Sequence, residues 1–324
     1  MKRILLILLA FITFTSAAQT TADVVGKYDR SQHGDPQGFA TLFVLENHKY
    51  AIIFFGGAQV GTWNIGKNNE IQFVPMVASQ RFTIYGRHNP NLSDSTRISF
   101  MNFTDGENYV QFGKTISGKT LMKRVFNESP NCLSFPYVHK YNGNSSEISF
   151  VNKPYQENPA QQFLQDVYTF KNNDNYNDFI AYYFKIKKSD QPFTVIAKKG
   201  GFFFSEDDFE KKEPLPTKGE DAKMIESIAA LDMNPAEVYF NPFYGEYDKD
   251  VKKDILNYTY NSAKEAYISP RNYTEGEEFT KLDDSFNDMD IIYLFKNIKT
   301  LSKVKKTYIT DEVPIFNIKC NDEQ

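Results

Sequence analysis

The feature that most constrains this chain is a series of short β-branched and aromatic segments between Phe39 and Val74. Clusters of glycine and asparagine separate the segments, and one segment carries the only tryptophan, Trp63. Segments of this length and composition, divided by residues that favour turns, are typical of antiparallel strands joined as a meander. We therefore expect the N-terminal third of the chain to fold as an antiparallel barrel or sandwich.

Trp63 shares one strand face with Gly61 and Ile65, because side chains alternate between the two faces of a strand. Gly61 leaves space for a large neighbour, so the indole is expected to lie flat over the floor of the barrel or sandwich. We favour this core role for Trp63 over a second role, in which the ring stacks on a ligand.

The strand expected from Lys49 to Phe55 is apolar on both faces. Tyr50 and Phe54 lie on one face, whereas Ala51 and Phe55 lie on the other. Such a strand is either covered on both faces or exposes a patch that binds something. The sequence leaves both alternatives open.

Residues 1–18 have the pattern of a secretory signal peptide. The basic pair Lys2-Arg3 precedes an apolar run from Ile4 to Phe14, and small residues occupy positions 16–18 before the expected cleavage. No cysteine lies at the cleavage position, so no lipid anchor is expected. No later run approaches the roughly 18 apolar residues of a membrane-spanning helix. We therefore expect a secreted or periplasmic protein without a transmembrane segment.

Charge and composition narrow the classes of function. A net charge of -4 at pH 7 lacks the basic field of a nucleic-acid surface, so no nucleic-acid partner is expected. An aromatic share of 15% fits sheets with wide apolar faces, and such residues also line sugar or lipid sites.

Cys132 and Cys320 are the only cysteines in the sequence. In an oxidising compartment an even pair favours a disulfide, which we expect slightly ahead of two unpaired buried thiols. Two cysteines so far apart, without neighbouring histidines, are not expected to bind a metal.

A family resemblance adds to this interpretation. The tripeptide Gly61-Thr62-Trp63, within a meander over about residues 20–126, resembles the glycine-x-tryptophan signature of lipocalin-like barrels. The resemblance implies an up-and-down barrel whose interior can hold a small apolar ligand. In lipocalins the motif lies on the first strand, whereas here it falls on the fourth expected strand.

The expected fold class is mostly β, with an antiparallel meander at residues 19–127 and an α+β module at residues 128–324. Within the meander, the polar face of the segment at 81–85 is expected to be wet. Residues 205–219 are expected to form a surface loop. In the second module, a capping-box pattern at Thr217–Glu220 predicts a helix, a second helix is expected from Asp248, and residues 307–320 are expected to form a closing hairpin.

No set of residues in the sequence matches a catalytic or metal-binding pattern. The four histidines lack the spacings of a metal-binding helix, and the Gly-x-Ser-x-Gly pattern of serine hydrolases is absent. Acidic clusters at 207–210 and 283–290 could serve a glycosidase or bind calcium, but a solvated surface is the favoured interpretation. We therefore expect no catalytic residue, no metal and no cofactor.

The favoured hypothesis is a secreted or envelope-associated binding protein without catalysis, which holds a small apolar or glycan ligand on an aromatic β-surface. An envelope protein is a further candidate partner. The expected contact residues are Tyr50, Phe54, Trp63, Tyr85 and Tyr109. Two alternatives are a secreted hydrolase that uses loop carboxylates and a structural or adhesion module.

Overall fold

In the computed structural model, the structure describes residues 20–30, 40–55, 57–78, 80–114, 121–133, 135–153, 164–185, 191–232, 234–241, 245–246, 258–269, 291–299 and 301–320. Most of these residues lie in β-strands, which confirms the predicted mostly-β class. Two α-helices accompany the strands within these ranges, α1 (Thr21–Val24) and α2 (Glu220–Ala230). The expected signal peptide at 1–18 lies outside the described residues.

The chain divides into two compact units. Unit 1 consists of Met1–Val77 and Lys187–Met233, and unit 2 consists of Ala78–Ile186 and Asn234–Gln324. Unit 1 is therefore made of two separate pieces of chain, and so is unit 2.

Unit 1 contains an eight-stranded antiparallel sheet whose order is β1-β2-β3-β4-β5-β14-β15-β16. The strands are β1 (Gly26–Arg30), β2 (Ala40–Val44), β3 (Lys49–Phe54), β4 (Gly57–Ile65), β5 (Glu70–Pro75), β14 (Phe193–Lys198), β15 (Gly201–Ser205) and β16 (Asp208–Lys211). Just beyond β16, Lys27 N donates to Glu213 O at 2.9 Å, and Glu213 N donates back to Lys27 O at 2.8 Å. These two bonds join the first strand to the end of the last, so the sheet forms a nearly closed barrel.

Turn chemistry explains the tight connection between β4 and β5. Asn68 and Asn69 have φ values of 56° and 62°, in the left-handed region that asparagine tolerates better than most residues. Gly66 N donates to Glu70 O at 2.7 Å and closes the turn. The Gly-Lys-Asn-Asn sequence therefore fixes the register in which Trp63 pairs with Phe73.

Aromatic side chains fill the interior of the barrel. Trp63 is fully buried, and its Nε1 donates to Leu45 O at 2.9 Å. The Tyr28 and Phe202 rings stack with centroids 4.0 Å apart. A Cβ atom at Gly61 would overlap the Tyr50 ring and the Val74 carbonyl oxygen, so glycine is needed there. The predicted core role of Trp63 is confirmed, and Tyr50 is the large neighbour that Gly61 admits.

Helix α2 covers the outer face of β3. Ile228 of the helix packs with Phe43, Leu45 and Ala51 of the sheet in one buried cluster. The doubly apolar strand is therefore covered on its outer face by this helix, as the first of the two sequence alternatives requires. The end of this strand is not covered, because Phe55 in the turn that follows β3 is 81% exposed.

Unit 2 contains two sheets. The nine-stranded sheet has the order β10-β7-β13-β6-β21-β17-β18, with β20 also on β21 and β19 on β20. Its strands are β6 (Phe82–Arg87), β7 (Ser95–Met101), β10 (Val138–Asn142), β13 (Asp178–Tyr183), β17 (Glu237–Asn241), β18 (Gly245–Glu246), β19 (Thr259–Asn261), β20 (Ala266–Ile268) and β21 (Ile291–Asn297).

The six-stranded sheet of unit 2 has the order β22-β12-β11-β8-β9-β23. Its strands are β8 (Asn108–Phe112), β9 (Leu121–Arg124), β11 (Glu147–Asn152), β12 (Gln165–Lys171), β22 (Leu301–Lys306) and β23 (Ile309–Asp311). Side chains of both sheets share the largest core cluster, in which Phe82 of one sheet stacks on Phe150 of the other at 5.2 Å. Unit 2 is therefore a sandwich with an aromatic core.

The division of the chain differs from the one expected from the sequence. The meander expected over residues 19–127 ends at β5, because β14 and not β6 is the next strand of that sheet. Strand β6 instead lies between β13 and β21, where all six of its residues are buried. The segment at 81–85 is therefore not wet on its polar face, because the strand is central and covered.

Three further expectations from the sequence have structural outcomes. Helix α2 is present in the segment that follows the capping pattern, but its N-cap is Gly219 and not Thr217, no side chain caps it, and it belongs to unit 1. The loop expected at 205–219 instead begins with strand β16, which pairs with β15. The closing hairpin expected at 307–320 is wrong, because β23 pairs in parallel with β9 and Phe316 makes only a single bridge to Phe126. A fourth expectation, the helix from Asp248 to just before Pro270, is wrong in its described part, because β19 and β20 pair there as antiparallel strands; its first residues lie outside the described ranges.

The C-terminal segment of unit 2 is attached to residues 126–132. Cys132 and Cys320 form a disulfide, and Cys320 N donates to Asn131 Oδ1 at 2.9 Å. Asn127 accepts from Ile318 N at 2.7 Å and donates to Ile318 O at 3.0 Å. The disulfide and the hydrogen bonds of these side-chain amides therefore hold this segment together with three backbone hydrogen bonds between residues 124–127 and 315–316. Among the described residues, neither helix is long and apolar enough to span a membrane.

Candidate functional site

The five residues expected to contact a ligand lie in different environments. Tyr50 and Trp63 are fully buried in the interior cluster of unit 1. Phe54 is 46% exposed at the end of β3. In unit 2, Tyr85 lies in a cluster with Ile180 on the face of the nine-stranded sheet that points away from the six-stranded sheet.

Tyr109 lies on the opposite face of unit 2, on the outer side of the six-stranded sheet. It packs with Met122, Val151 and Val167 in a separate buried cluster. The structure therefore brings Tyr50 and Trp63 together, and it places Phe54, Tyr85 and Tyr109 apart from that pair and from each other in their side-chain clusters.

A cavity of about 250 Å³ lies in unit 2, and its lining comes from strands of both sheets and the segments beside them. We call it the amide pocket, because side-chain amides form much of its lining. Its lining residues are Gln80, Thr83, Phe170, Asn234, Asn297, Ile298, Lys299 and Leu301.

The backbone around the amide pocket is fixed by the sheet. Asn297 N donates to Ala236 O at 2.9 Å, and Ile298 N donates to Ile84 O at 3.0 Å. Asn297 lies opposite Tyr85 in the antiparallel pairing of β21 with β6. Since side chains alternate along a strand, Thr83 and Asn297 lie on the same face as Tyr85. The sequence gives no signal for this site, because its residues come from four separate parts of the chain.

The pocket combines polar groups with an apolar surface. Gln80, Asn234 and Asn297 offer amide donors and acceptors, Thr83 offers a hydroxyl, and Lys299 offers an exposed ammonium group. Phe170 and Ile298 are buried beside them and form apolar walls. Such a site can hydrogen-bond a small polar molecule from several sides and contact its apolar faces.

A second polar centre lies on the same sheet, around Asp178. Arg97 donates to Asp178 from Nε at 2.9 Å and from Nη2 at 2.6 Å. Arg87 Nη2 lies 2.8 Å from the same carboxylate, and Asn89 Nδ2 donates to it at 3.1 Å. We call these four residues the arginine centre.

Strand register creates the arginine centre. Asp178 of β13 lies directly opposite Arg87 of β6 on one side and beside Arg97 of β7 on the other. The side chains of Arg87 and Asp178 are 3% and 1% exposed, and that of Arg97 is 18% exposed. Burial lowers the pKa of Arg87 despite the nearby Asp178 carboxylate. Burial opposes the charge of Arg97 as well, but Asp178 outweighs it and the pKa of Arg97 is raised.

Aromatic rings cover the buried guanidinium of Arg87. Its central carbon lies 3.6 Å from the centroid of the Tyr293 ring and 5.4 Å from that of the Phe295 ring. A cation over an aromatic face gains electrostatic attraction, which is larger when water is excluded. The ring of Tyr293 therefore helps to keep the charge of Arg87 in a buried place.

Two carboxylates meet at the Tyr109 hydroxyl, which lies 2.6 Å from Glu107 and 3.0 Å from Glu312. Arg124 lies 3.2 Å from Glu312, and Lys153 lies 3.4 Å from Glu107. Burial and the two carboxylates raise the pKa of Tyr109. Burial works to raise the pKa of Glu312, but hydrogen bonds from Thr310 and Tyr109 and the nearby cations lower it overall. Both carboxylates therefore act as ion-pair partners, and Glu312 attaches the residues after β23 to the sheet through Tyr109 and Arg124.

The acidic clusters singled out in the sequence do not gather into a metal site within the described part of the chain. No group of three or more His, Cys, Asp or Glu residues is placed there to hold a metal ion. Asp208 lies on strand β16, and residues 283–290 lie outside the described ranges.

The fold and its polar centres define a mostly-β protein with a nearly closed antiparallel barrel in one unit and a sandwich in the other. No protein-family model, curated protein or solved structure matches this chain.

Proposed function

We propose that this protein is an extracytoplasmic binding protein without catalysis, and that the amide pocket of unit 2 binds a small polar ligand of the glycan class. The observation that carries the proposal is the lining of the pocket. Three amides, one hydroxyl and one ammonium group surround a space that is also bounded by apolar walls.

The chemistry of the lining suits a sugar. A sugar ring carries hydroxyl groups around its rim, which need both donors and acceptors, and asparagine and glutamine side chains supply both. The C–H faces of the ring need apolar contact, which Phe170, Ile298 and Leu301 supply. Lys299 adds a positive charge at the rim, so a sugar with a carboxylate fits this pocket better than a neutral one.

The interior of the barrel is a poorer place for a ligand. An eight-stranded antiparallel barrel with Gly61 and Trp63 on one strand supports the proposal of a lipocalin-like architecture for unit 1. However, Trp63, Tyr28, Tyr50, Phe73 and Phe202 are all fully buried there and pack on one another. A ligand would have to displace these rings, so we assign binding to unit 2.

An extracytoplasmic location is part of the proposal. The basic and apolar pattern of residues 1–18 is typical of a signal peptide. The Cys132–Cys320 disulfide agrees with an oxidising compartment, where such bonds persist.

A secreted hydrolase is the competing proposal, and it would use Glu107 and Glu312. Glycoside hydrolysis needs one carboxyl that stays protonated near neutral pH and a second one nearby. The lowered pKa of Glu312 argues against the first role for that group, and both carboxylates are already paired with cations. A structural or adhesion module is the third proposal, and it becomes the favoured one if no small ligand binds.

The test is calorimetry with a panel of neutral, acidic and amino sugars. We expect saturable binding of at least one acidic sugar. Thr83→Val removes the hydroxyl at almost constant volume, and Asn297→Ala removes one amide. A buried polar group of the ligand left without its partner costs about 1 to 3 kcal/mol, so each variant should weaken binding by about tenfold or more.

The matched control is Asn64→Ala, which removes an exposed amide in unit 1. This variant should bind the sugar as the unchanged protein does. Binding of no sugar class, or equal affinity of the Thr83 and Asn297 variants and the unchanged protein, would contradict the proposal.

A further inference from the structure

We propose that the arginine centre of unit 2 is a binding site for an oxyanion, namely the carboxylate or phosphate group of a ligand. This site is separate from the amide pocket, and the inference does not depend on the sugar proposal. The inference rests on the charge balance of the two arginines, on their unused hydrogen-bond donors and on the access of solvent to Arg97.

The first step is the balance of charge. Two guanidinium groups, those of Arg87 and Arg97, share the single carboxylate of Asp178. The other described groups in contact with them are Asn89, the His88 carbonyl oxygen and the Tyr293 and Phe295 rings, none of which is a carboxylate. One positive charge is therefore left in excess, and an excess charge in a buried place is costly unless an anion neutralises it.

The second step is the count of donors. Arg97 uses Nε and Nη2 on Asp178, and within the described residues no group accepts from its Nη1. Arg87 uses Nη2 on Asp178 and Nη1 on His88 O at 3.3 Å. Its Nε is buried and has no hydrogen-bond partner among the described residues. A buried donor without an acceptor costs free energy, which an oxyanion can recover.

The third step is access. The Arg97 side chain is 18% exposed, whereas that of Arg87 is 3% exposed. An anion can therefore reach the centre at Arg97 from solvent, while Arg87 adds its charge from behind. The Nε–Nη2 edge of Arg97 is bonded to Asp178, and the Nη1–Nη2 edge remains as a fork of donors that matches carboxylate and phosphate oxygens.

A purely structural role accounts for less of this arrangement. The contact of Arg87 with the Tyr293 ring offsets part of the cost of a buried cation. The face of the Tyr293 ring offers no acceptor in the plane of the Arg87 guanidinium group, where Nε donates. It also offers no acceptor to Arg97 Nη1. A balanced pair of one arginine and Asp178 would join β13 to one neighbouring strand without the excess charge.

The experiment measures the thermal midpoint and the affinity for inorganic phosphate and for acetate, with chloride at equal ionic strength as reference. We expect one of the two oxyanions to raise the midpoint in a saturable way, because a ligand that binds only the folded state stabilises it. A response to phosphate alone indicates a phosphate ester, and a response to acetate alone indicates a carboxylate.

Arg97→Gln tests the site directly. The variant leaves Arg87 and Asp178 as a balanced pair, so it should fold and should bind the oxyanion at least about tenfold more weakly. Arg97→Lys keeps the charge without the fork and should fall between the two, which separates lost binding from lost folding.

Arg124→Gln is the matched control, because the Arg124 side chain is 15% exposed and pairs with carboxylates on the other sheet. It should leave oxyanion binding unchanged. The proposal is overturned if phosphate and acetate act as chloride does, or if Arg97→Gln binds the oxyanion as tightly as the unchanged protein.

Discussion

The two units differ in what they bury. In unit 1, two of the buried rings donate hydrogen bonds to the backbone: Trp63 Nε1 to Leu45 O and the Tyr28 hydroxyl to Val24 O. In unit 2, charged and polar side chains are themselves buried. All buried polar or charged residues among the described ranges belong to unit 2: Thr83, Arg87, Asn89, Thr96, Ser99, Asn108, Ser145, Ser149, Asn172 and Asp178.

This difference shows where a ligand can matter. A buried polar group costs free energy unless it is hydrogen-bonded, so each one in unit 2 depends on its partners. An apolar interior such as that of unit 1 depends on volume and shape instead. Both proposed ligand sites lie in unit 2, where an additional polar partner has the most to stabilise.

The largest expected effect on stability comes from disrupting the apolar interior of unit 1. Trp63→Ala should lower the free energy of unfolding by about 4 kcal/mol, because it leaves a large cavity in a close-packed interior. Trp63→Phe keeps most of the volume and should cost clearly less. Urea unfolding followed by circular dichroism measures both. If the alanine variant loses less than about 1.5 kcal/mol of unfolding free energy, the neighbouring side chains have moved into the cavity that the indole leaves.

The second effect comes from disrupting the buried ion pairs of the arginine centre in unit 2. Asp178→Asn leaves two buried guanidinium groups without a counter-charge, so it should lower the free energy of unfolding by about 3 kcal/mol. Asp166→Asn is the control, because that carboxylate is 33% exposed and forms a surface pair with Lys303. Exposed pairs contribute about 1 kcal/mol or less, so the control should stay near the unchanged protein in urea unfolding. Equal stability of the two variants would mean that the arginine centre already holds an anion or water that replaces Asp178.

The smallest effect depends on pH and concerns Glu312. Its pKa is lowered in the folded protein from the ordinary value of 4.5, so its ionised form stabilises the fold above about pH 4.5. That contribution should be lost as the pH falls through the lower folded pKa. Glu312→Gln should remove it, and since the side chain is 50% exposed the difference at neutral pH should be below about 1 kcal/mol. Thermal midpoints at pH 3 to 7 measure it, and parallel curves for the two proteins would contradict this role of Glu312.

Local features of the fold were predictable from the sequence, but the partners of the strands were not. Alternation and turn residues locate β3, β4 and β5, and the capping pattern locates α2. Nothing in the sequence near Phe73 indicates that its neighbour is Phe193, because strand pairing depends on packing over long separations. The expected boundary at residue 127 followed from assuming that consecutive strands stay in one sheet.

The same limit applies to the candidate sites. Arg87 lies two residues before the turn-forming pair Asn89-Pro90, and a charged residue near a turn is normally solvated. Its burial becomes visible only when β13 brings Asp178 beside it, and Asp178 is separated from Arg97 by 81 residues. The predicted contact residues were chosen for their aromatic rings, and ring content alone does not separate a ligand surface from a core.

The split of unit 1 between two pieces of chain has a consequence for synthesis. When residues up to Val77 have left the ribosome, only five of the eight barrel strands exist, and the hydrogen-bonding edge of β5 has no partner. The ladder can be completed only after Phe193 and the following strands are made, and closure joins residues separated by 186 positions. Contacts between residues so far apart in the sequence form slowly, and an unpaired strand edge can pair with other chains. The nascent protein therefore needs protection at β5 for as long as the intervening residues of unit 2 are being translated.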